Sequence, residues 1–315
     1  MAIAAPRATG TTVELALRGS RSDVRGRLFA AGLLLTLILS LMILLALLIS
    51  VVSDAWPVLS SRGTDFLTDN VSRFESRAGV RQGLVGSLML VAFVGVLAVP
   101  LGIGAAVYLQ EYARDTRVTR ILTANIRNLA GVPSIVYGIL GVVVFVQALR
   151  SVTGPEAFGR SYISGGLTLT VLVMPFIIII AMEALRAVPQ GIREAAYGVG
   201  ATRWEVVRSH VLPYAAPGIF TGAILALARA FGETAPLLLV GAVTGYISPG
   251  GSGNSLLETL QGAYTSLPTL IFSWARQPGE EWKGLTAAAI VVLLAVILVV
   301  NLAAIVLRNR YERKW

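Results

Sequence analysis

Residues 28–52 read LFAAGLLLTLILSLMILLALLISVV, an apolar run without a single charged side chain. About 20 such residues in a helix cross the roughly 30 Å of hydrocarbon in a bilayer. The run is continuous rather than alternating, which favours a helix over a strand of a membrane barrel. It is too long for the apolar core of a signal peptide, and no small-residue cleavage site follows closely. The run therefore predicts an uncleaved membrane-spanning helix.

Five further stretches meet the same criterion of length and apolar composition. They cover approximately residues 84–109, 129–149, 167–184, 214–241 and 285–307. The whole chain is 55% apolar and 14% charged, whereas a soluble domain carries about a quarter charged residues. The sequence therefore predicts an all-α, polytopic membrane bundle of six transmembrane helices.

Positive charge alternates between the segments that connect these spans. The arginine-rich segments are residues 1–27, 110–128, 185–213 and 308–315, and the poor or balanced ones are 53–83, 150–166 and 242–284. Arginine-rich loops stay on the cytoplasmic side, so both termini are predicted to be cytoplasmic. The net charge of +9 follows from these loops and gives no reason to expect nucleic acid. We expect a partly disordered basic tail at 1–27 and a transmembrane domain at 28–315, with a cytoplasmic loop at about 187–213.

The most informative loop is residues 194–213, EAAYGVGATRWEVVRSHVLP, which is too polar to span a membrane. Gly198 and Gly200 allow a bend between two short helices, and Pro213 is expected to end the element before the fifth span. A helix of this kind suits docking into a groove of a partner; the alternative is a membrane-surface helix without one. One predicted helical face carries Ala195, Val199, Thr202 and Val206.

The spacing of this loop resembles the EAA loop of ABC importer permeases. This chain departs from the family pattern at His210, where the family usually has isoleucine. The resemblance implies the ABC importer permease fold and a coupling helix that docks into a separate ATPase dimer. No Walker A motif is present in the sequence, so ATP is expected to be used by that partner and no cofactor is expected on this chain. The matching positions are Glu194, Ala195, Ala196, Gly200, Leu212 and Pro213.

Three segments sharpen the resemblance towards phosphate-specific ABC importer permeases of the PstA type. They are AGVPSIVYG at 130–138, RAFGETAP at 229–236 and LAAIVLRNRY at 302–311. The resemblance implies transport of inorganic phosphate, a PstC-like permease as heterodimer partner and an extracytoplasmic phosphate-binding protein. The outer segments 53–83 and 244–284 are expected to meet that protein; the alternative is that residues 244–284 form a lid on the bundle. Permeases for sulfate and molybdate share the fold and the loop, so these oxyanions remain alternative substrates.

Arg229 and Glu233 are predicted to lie deep in the fifth span, one turn apart on the same helical face. Charges in a membrane core are costly, and they usually face the bundle interior or a wet cavity. A guanidinium suits an oxyanion because its fork of donors matches two oxygens. Arg229 is therefore a candidate substrate contact, and Glu233 would keep binding weak enough for release. The alternative is a buried ion pair that only fixes helix packing.

Other polar residues near the spans are weaker candidates. Ser134 and Tyr137 begin the third span and could line the path or simply pack between helices. Glu183 and Arg186 form an i,i+3 pair at the inner end of the fourth span, either at a cytoplasmic exit or as interfacial anchors. The single histidine, His210, has no companion ligands, and no metal site is predicted.

Two other classes of membrane protein are less compatible with this sequence. An ATP-independent secondary transporter would be expected to show an internal repeat and several intramembrane acidic groups, yet only Glu233 is a strong candidate. A membrane enzyme would need a nucleophile with a base, or a metal cluster, on one face of the membrane. Neither pattern is present in the sequence.

Overall fold

A computed structural model describes residues 24–245 and 255–311, apart from the side chains of residues 307, 310 and 311. Most of the predicted basic tail and the glycine-rich segment at 246–254 lie outside these residues. Within the described part every regular element is a helix, which confirms the all-α prediction. The described residues divide at Ser50 and Val51 into two separate units.

The helices follow one another with short connections, and π-helical turns extend three of them. The π turns are Tyr108–Tyr112 after α3, Val142–Ala148 after α5 and Val207–Val211 after α9. The helices are α1 (Val24–Arg62), α2 (Thr64–Thr68), α3 (Arg81–Val107), α4 (Arg117–Ala130), α5 (Ser134–Gly141), α6 (Arg150–Thr153), α7 (Tyr162–Arg186), α8 (Gln190–Gly198), α9 (Arg203–Val206), α10 (Leu212–Gly232), α11 (Ala235–Val240), α12 (Leu256–Gln261), α13 (Leu267–Trp274) and α14 (Glu280–Tyr311).

Five of these helical runs are long and apolar enough to cross a membrane. A sixth crossing results if the bent pair formed by α4 and the α5 run counts as one span. This agrees with six predicted spans. The five runs are Val24–Arg62, Arg81–Tyr112, Tyr162–Arg186, Arg203–Gly232 and Glu280–Val306.

The third span differs from its prediction because it is broken near its start. The segment Arg117–Ala130 and the segment Ser134–Ala148 meet at 101°. The helical run predicted at about residues 129–149 therefore starts at Ser134, after the bend. Pro133 lacks the backbone N–H that would continue α4, and its ring disfavours a helical residue before it. The Leu129 carbonyl near the end of α4 accepts from the Val132 N–H at 3.1 Å and also from the Tyr137 hydroxyl at 2.8 Å.

The fifth span also differs, since α10 ends at Gly232 and not near residue 241. Glu233 is extended, with φ −72° and ψ 125°. Pro236 causes the break because its ring would clash with the Gly232 carbonyl in a continuous helix. The next helix, α11, is capped at its C-terminus by Gly241. Gly241 has a φ of +102°, a left-handed conformation that is common at helix ends and that glycine adopts without strain.

The central element of residues 51–315 is α7, which packs against α3, α4, α5, α10 and α11. Small residues let these helices approach closely, as is usual between membrane helices. A side chain on Gly222 of α10 would lie 2.3 Å from the Ile180 Cγ2 atom. Likewise, a side chain on Gly138 of α5 would lie 2.8 Å from the Pro236 Cα atom of α11. The broken third and fifth spans are therefore in direct contact.

Candidate functional site

The break in the fifth span brings Arg229 and Glu233 together. Arg229 lies in the last turn of α10, and its Nε donates to the Glu233 Oε1 at 3.3 Å. Glu233 stands beyond the helix end and not one helical turn further along it, which corrects the geometry predicted from sequence. Although its backbone is extended, the Glu233 carboxylate still reaches the Arg229 guanidinium.

Arg229 is held on its other side by an aromatic ring. Its guanidinium carbon lies 4.1 Å from the centroid of the Phe176 ring of α7, a distance typical of cation–π stacking. Among the described residues, no hydrogen bond occupies either Nη group. The arginine side chain is 41% exposed, whereas that of Glu233 is 15% exposed. Arg229 thus presents two free donors from a fixed position at the surface of this single chain.

The two other candidates for the substrate path, Ser134 and Tyr137, lie on α5, the helix that contacts α11. Tyr137 is 6% exposed and uses its hydroxyl to bind the Leu129 carbonyl. Ser134 is half-buried at the start of α5. Tyr137 therefore has a defined structural role at the broken third span.

Glu183 and Arg186 belong to a polar cluster at the inner end of α7. Arg186 Nη1 donates to Glu183 Oε1 at 3.1 Å, and its Nε donates to Gln110 Oε1 at 3.0 Å. Arg127 of α4 approaches the same Glu183 oxygen at 3.7 Å. These side chains are exposed, so the cluster joins the inner ends of three helices at a wet surface.

The loop at 194–213 folds into two helices with a reversal between them. Gly200 has a φ of +85°, so α8 and α9 do not share one face. The predicted face is wrong in part: Val199 is 85% exposed, while Val206 is fully buried. Pro213 does not end the element either, because the helical run continues through it into α10. A π-helical turn just before Pro213 lies where the proline removes a backbone hydrogen bond.

The tip of this loop carries exposed side chains. Tyr197 is 47% exposed and Trp204 57% exposed, which is unusual for large aromatic side chains. Glu194 and Ala195 are exposed beside them, and Ala196 is buried. No hydrogen bond or ion pair within the described residues involves the Glu194 carboxylate. Tyr197, Val199 and Trp204 are together called the loop tip below.

The start of α9 is fixed by a capping box. The Glu205 carboxylate accepts hydrogen bonds from the Thr202 backbone N–H at 2.8 Å and from the Thr202 hydroxyl at 2.7 Å. These bonds, the backbone one first, hold the pKa of Glu205 below its usual value. The cap orients Trp204, which is the second residue of α9.

A buried ion pair, Glu111 with Arg193, ties α8 to the spans, and sequence reasoning missed it. Arg193 Nη2 lies 2.8 Å from Glu111 Oε1, with side chains only 13% and 9% exposed. Arg193 also donates to the Val188 carbonyl at 2.8 Å and the Leu185 carbonyl at 2.9 Å. The available signal was Glu111 itself, an acidic residue beside an arginine-rich loop. Motion of α8 is thereby connected to the inner ends of α3 and α7.

Comparison with known proteins gives one family and several relatives. Residues 98–313 match the family described as "Binding-protein-dependent transport system inner membrane component". The phosphate transport system permease protein PstA 1 of Mycobacterium tuberculosis strain H37Rv is 36% identical over 230 residues, which cover 73% of this chain and 70% of that protein. The probable ABC transporter permease protein YqgI of Bacillus subtilis strain 168 is 36% identical over 179 residues, which cover 57% of this chain and 58% of YqgI.

A solved structure shares the fold at low sequence identity. It is the crystal structure of a bacterial alginate ABC transporter in complex with an alginate pentasaccharide-bound periplasmic protein. A chain of that transporter is 18% identical to this one and superposes with a TM-score of 0.65. The superposition covers 94% of this chain and 99% of the other. The likeness confirms the fold predicted from the loop pattern.

Removing one partner of the Glu111–Arg193 pair should destabilise the protein strongly. A buried charge left without its partner costs about 3–5 kcal/mol, so Glu111→Ala should lower the midpoint of denaturant unfolding in detergent micelles. The matched control is the exposed pair Arg120–Asp115, at 2.9 Å with side chains 70% and 81% exposed. Asp115→Ala should cost about 0–1 kcal/mol. Equal effects at the two pairs would contradict the structural role of Glu111.

Proposed function

The chain belongs to the family of binding-protein-dependent transport system inner membrane components, and on that premise we propose that it is a permease subunit of an ATP-driven phosphate importer. It is a multi-pass inner-membrane protein. The observation that carries the proposal is Arg229, a stacked arginine with free donors in an otherwise apolar span. The phosphate-transport permeases among its relatives support the choice of substrate.

Arg229 suits a tetrahedral oxyanion for three reasons. Its charge does not titrate away near neutral pH, its two Nη groups can bind two oxygens, and the Phe176 ring fixes the plane of the guanidinium. At 41% exposed, this cation cannot be left against lipid at low cost. We propose that it faces the translocation path at the boundary with a second permease subunit.

Glu233 gives the same site a means of release. Its carboxylate occupies the Arg229 Nε, so an arriving anion meets a guanidinium whose charge is already partly balanced. A transport site must bind weakly enough to let the substrate leave. In this proposal Glu233 sets that balance, while Ser134 and Tyr137 line the neighbouring wall of the path.

Energy is proposed to come from an ATPase dimer that docks on the 194–213 loop. The loop tip offers apolar surface to a partner groove, and Glu194 adds a charge without an internal partner. The Glu111–Arg193 pair would carry the motion of α8 to α3 and α7. The other proposed partners are a PstC-like permease and an extracytoplasmic phosphate-binding protein. Glu183 and Arg186 would lie near the cytoplasmic exit.

Uptake of radiolabelled phosphate at low concentration tests the substrate. Cells without this chain should lose high-affinity uptake, and complementation should restore it. Unlabelled phosphate should compete, whereas sulfate and molybdate should not. If phosphate uptake is unchanged while uptake of sulfate or molybdate is lost, the substrate proposed here is wrong and the permease role remains.

The role of Arg229 is tested by exchanging the two charges. Arg229→Glu combined with Glu233→Arg keeps an ion pair but moves the cation beyond the helix end, away from the Phe176 ring. We expect an assembled transporter that co-purifies with its partners and has lost most phosphate uptake. Normal uptake in the exchanged variant would show that the pair serves only helix packing.

Docking of the ATPase is tested at Trp204. Trp204→Ala should abolish co-purification of the ATPase, because aromatic anchors contribute a large share of binding energy at interfaces. The matched control is Phe74→Ala, since Phe74 is 71% exposed on the predicted outer side. ATPase retained at the wild-type level in the Trp204 variant would reject the loop tip as the docking surface.

A further inference from the structure

A cavity of about 680 Å³ opens at the outer end of the broken third span. Gln147 and Arg150 follow α5 along the chain, Phe158 and Arg160 come from the loop before α7, and Leu239 comes from α11. This end lies opposite the inner cluster of Glu183 and Arg186. The cavity contains none of the residues singled out from the sequence.

The two arginines of this cavity have no acidic partner. Within the described residues, no carboxylate oxygen lies within 4.0 Å of either guanidinium, and neither side chain makes a hydrogen bond. The Arg150 guanidinium stacks over the Phe158 ring at 4.6 Å. Arg160 packs its stem against Gly241, where a Cβ would lie 2.5 Å from the Arg160 Cδ atom. Both stems are held while both charged ends stay exposed.

The loop that carries Arg160 is held in a strained conformation. Phe158 has a φ of +54° and Gly159 a φ of +78°, and a positive φ is costly for a bulky residue such as Phe158. The Gly159 N–H donates to the Gly154 carbonyl at 2.7 Å, and the Arg160 N–H donates to the Ala157 carbonyl at 2.9 Å. The Gly159 carbonyl in turn accepts from the Ser164 hydroxyl. These bonds fix Phe158 under Arg150.

The cavity and Glu233 lie near the two ends of α11. Leu239 lines it, and the same side chain contacts α5 at Gly138, next to Tyr137. The helix α11, which carries Leu239, starts two residues after Glu233. Six helical residues rise about 9 Å, so one short helix separates the cavity from Glu233.

Positive charge distinguishes this cavity from a larger one that also lies among residues 51–315. The larger cavity among residues 53–285, about 760 Å³, is lined by Asp54, Glu75, Glu280 and Glu281, with Arg62 and Lys283. There the hydrogen bond between Glu75 and Glu281, with burial, raises the pKa of Glu75. Crowded carboxylates repel an anion, so an approaching oxyanion is directed to the arginine cavity.

We propose that the cavity of Gln147, Arg150 and Arg160 is an outer capture site for the transported oxyanion, which rests on the function proposed above. Two guanidinium groups attract a phosphate dianion and can bind its oxygens in pairs. The Gln147 amide adds a neutral donor. From this site the anion passes along α11 to Arg229.

Single cysteines allow the proposal to be tested, because the natural chain contains none. Ala157→Cys places a thiol on the cavity wall, and Ser76→Cys places one in the acidic cavity as the matched control. The full transporter in right-side-out vesicles is treated with a sulfonate-bearing or a trimethylammonium-bearing methanethiosulfonate. The rate at which this chain gains mass reports the local charge.

The thiol at residue 157 should react faster with the anionic reagent, and the thiol at residue 76 faster with the cationic one. Removing one arginine about 7 Å away should slow the anionic reagent about threefold in water. Arg150→Gln with Arg160→Gln should therefore abolish the preference, whereas Arg150→Lys with Arg160→Lys should retain it. Inorganic phosphate should protect residue 157 more than chloride of equal ionic strength. Co-purification with the partner subunits checks that each variant assembles.

Two results would overturn the proposal. One is a residue 157 thiol without preference for the anionic reagent. The other is protection by the extracytoplasmic binding protein but not by phosphate, which would make the arginines a protein-docking surface. If the transporter carries sulfate and not phosphate, only the proposed substrate is wrong. The capture site then predicts that sulfate protects residue 157. Normal phosphate uptake together with either of the two results defeats only the capture site and leaves the proposed function standing.

Discussion

The structure depends on one constraint, that lipid offers no hydrogen-bond partner to the polypeptide backbone. Each interruption of a span therefore needs a partner within the chain. At the break near Pro133, the Tyr137 hydroxyl binds the Leu129 carbonyl. After the break near Pro236, the Tyr264 hydroxyl binds the Leu237 carbonyl at 3.2 Å, and the Tyr264 carbonyl accepts from the Val243 N–H at 2.7 Å. The Leu129 carbonyl also accepts from the Val132 N–H, and the Leu237 carbonyl from the Gly241 and Ala242 N–H groups. Backbone turns and tyrosine hydroxyls together therefore pair these acceptors.

These breaks also position the charged groups of the candidate site. In a straight fifth span, Glu233 would lie one helical turn beyond Arg229 on the same face of the helix. The break gives Glu233 an extended backbone and begins α11 beside α5. The Gly138–Pro236 contact then joins the two broken spans. Tyr137 of α5 and the cavity-lining Leu239 of α11 consequently lie on two short helices in contact, and α11 starts just after the end of α10 that carries Arg229.

The inner side of the chain is organised by charge and not by apolar packing alone. Glu111 and Arg193 are buried together, and Arg193 also binds two carbonyls at the end of α7. The loop tip, only a few residues away, is exposed, and within the described residues its side chains make no hydrogen bond or ion pair. In the function proposed above, this surface meets the ATPase, and the Glu111–Arg193 pair connects it to two spans.

The sequence by itself determined the helical class, the number of spans and the loop at 194–213, because long apolar runs and short motifs are local properties. It also pointed to Arg229 and Glu233, since charges in apolar runs are rare. Only the structure showed that the third and fifth spans are broken, next to Pro133 and Pro236. It also showed that Glu111 pairs with Arg193 and that Leu239 lines one cavity with Arg150 and Arg160. The ion pair and the cavity join residues far apart in the chain, and which residues meet depends on close packing at glycines such as Gly138 and Gly222. Hydropathy carries no information about such contacts.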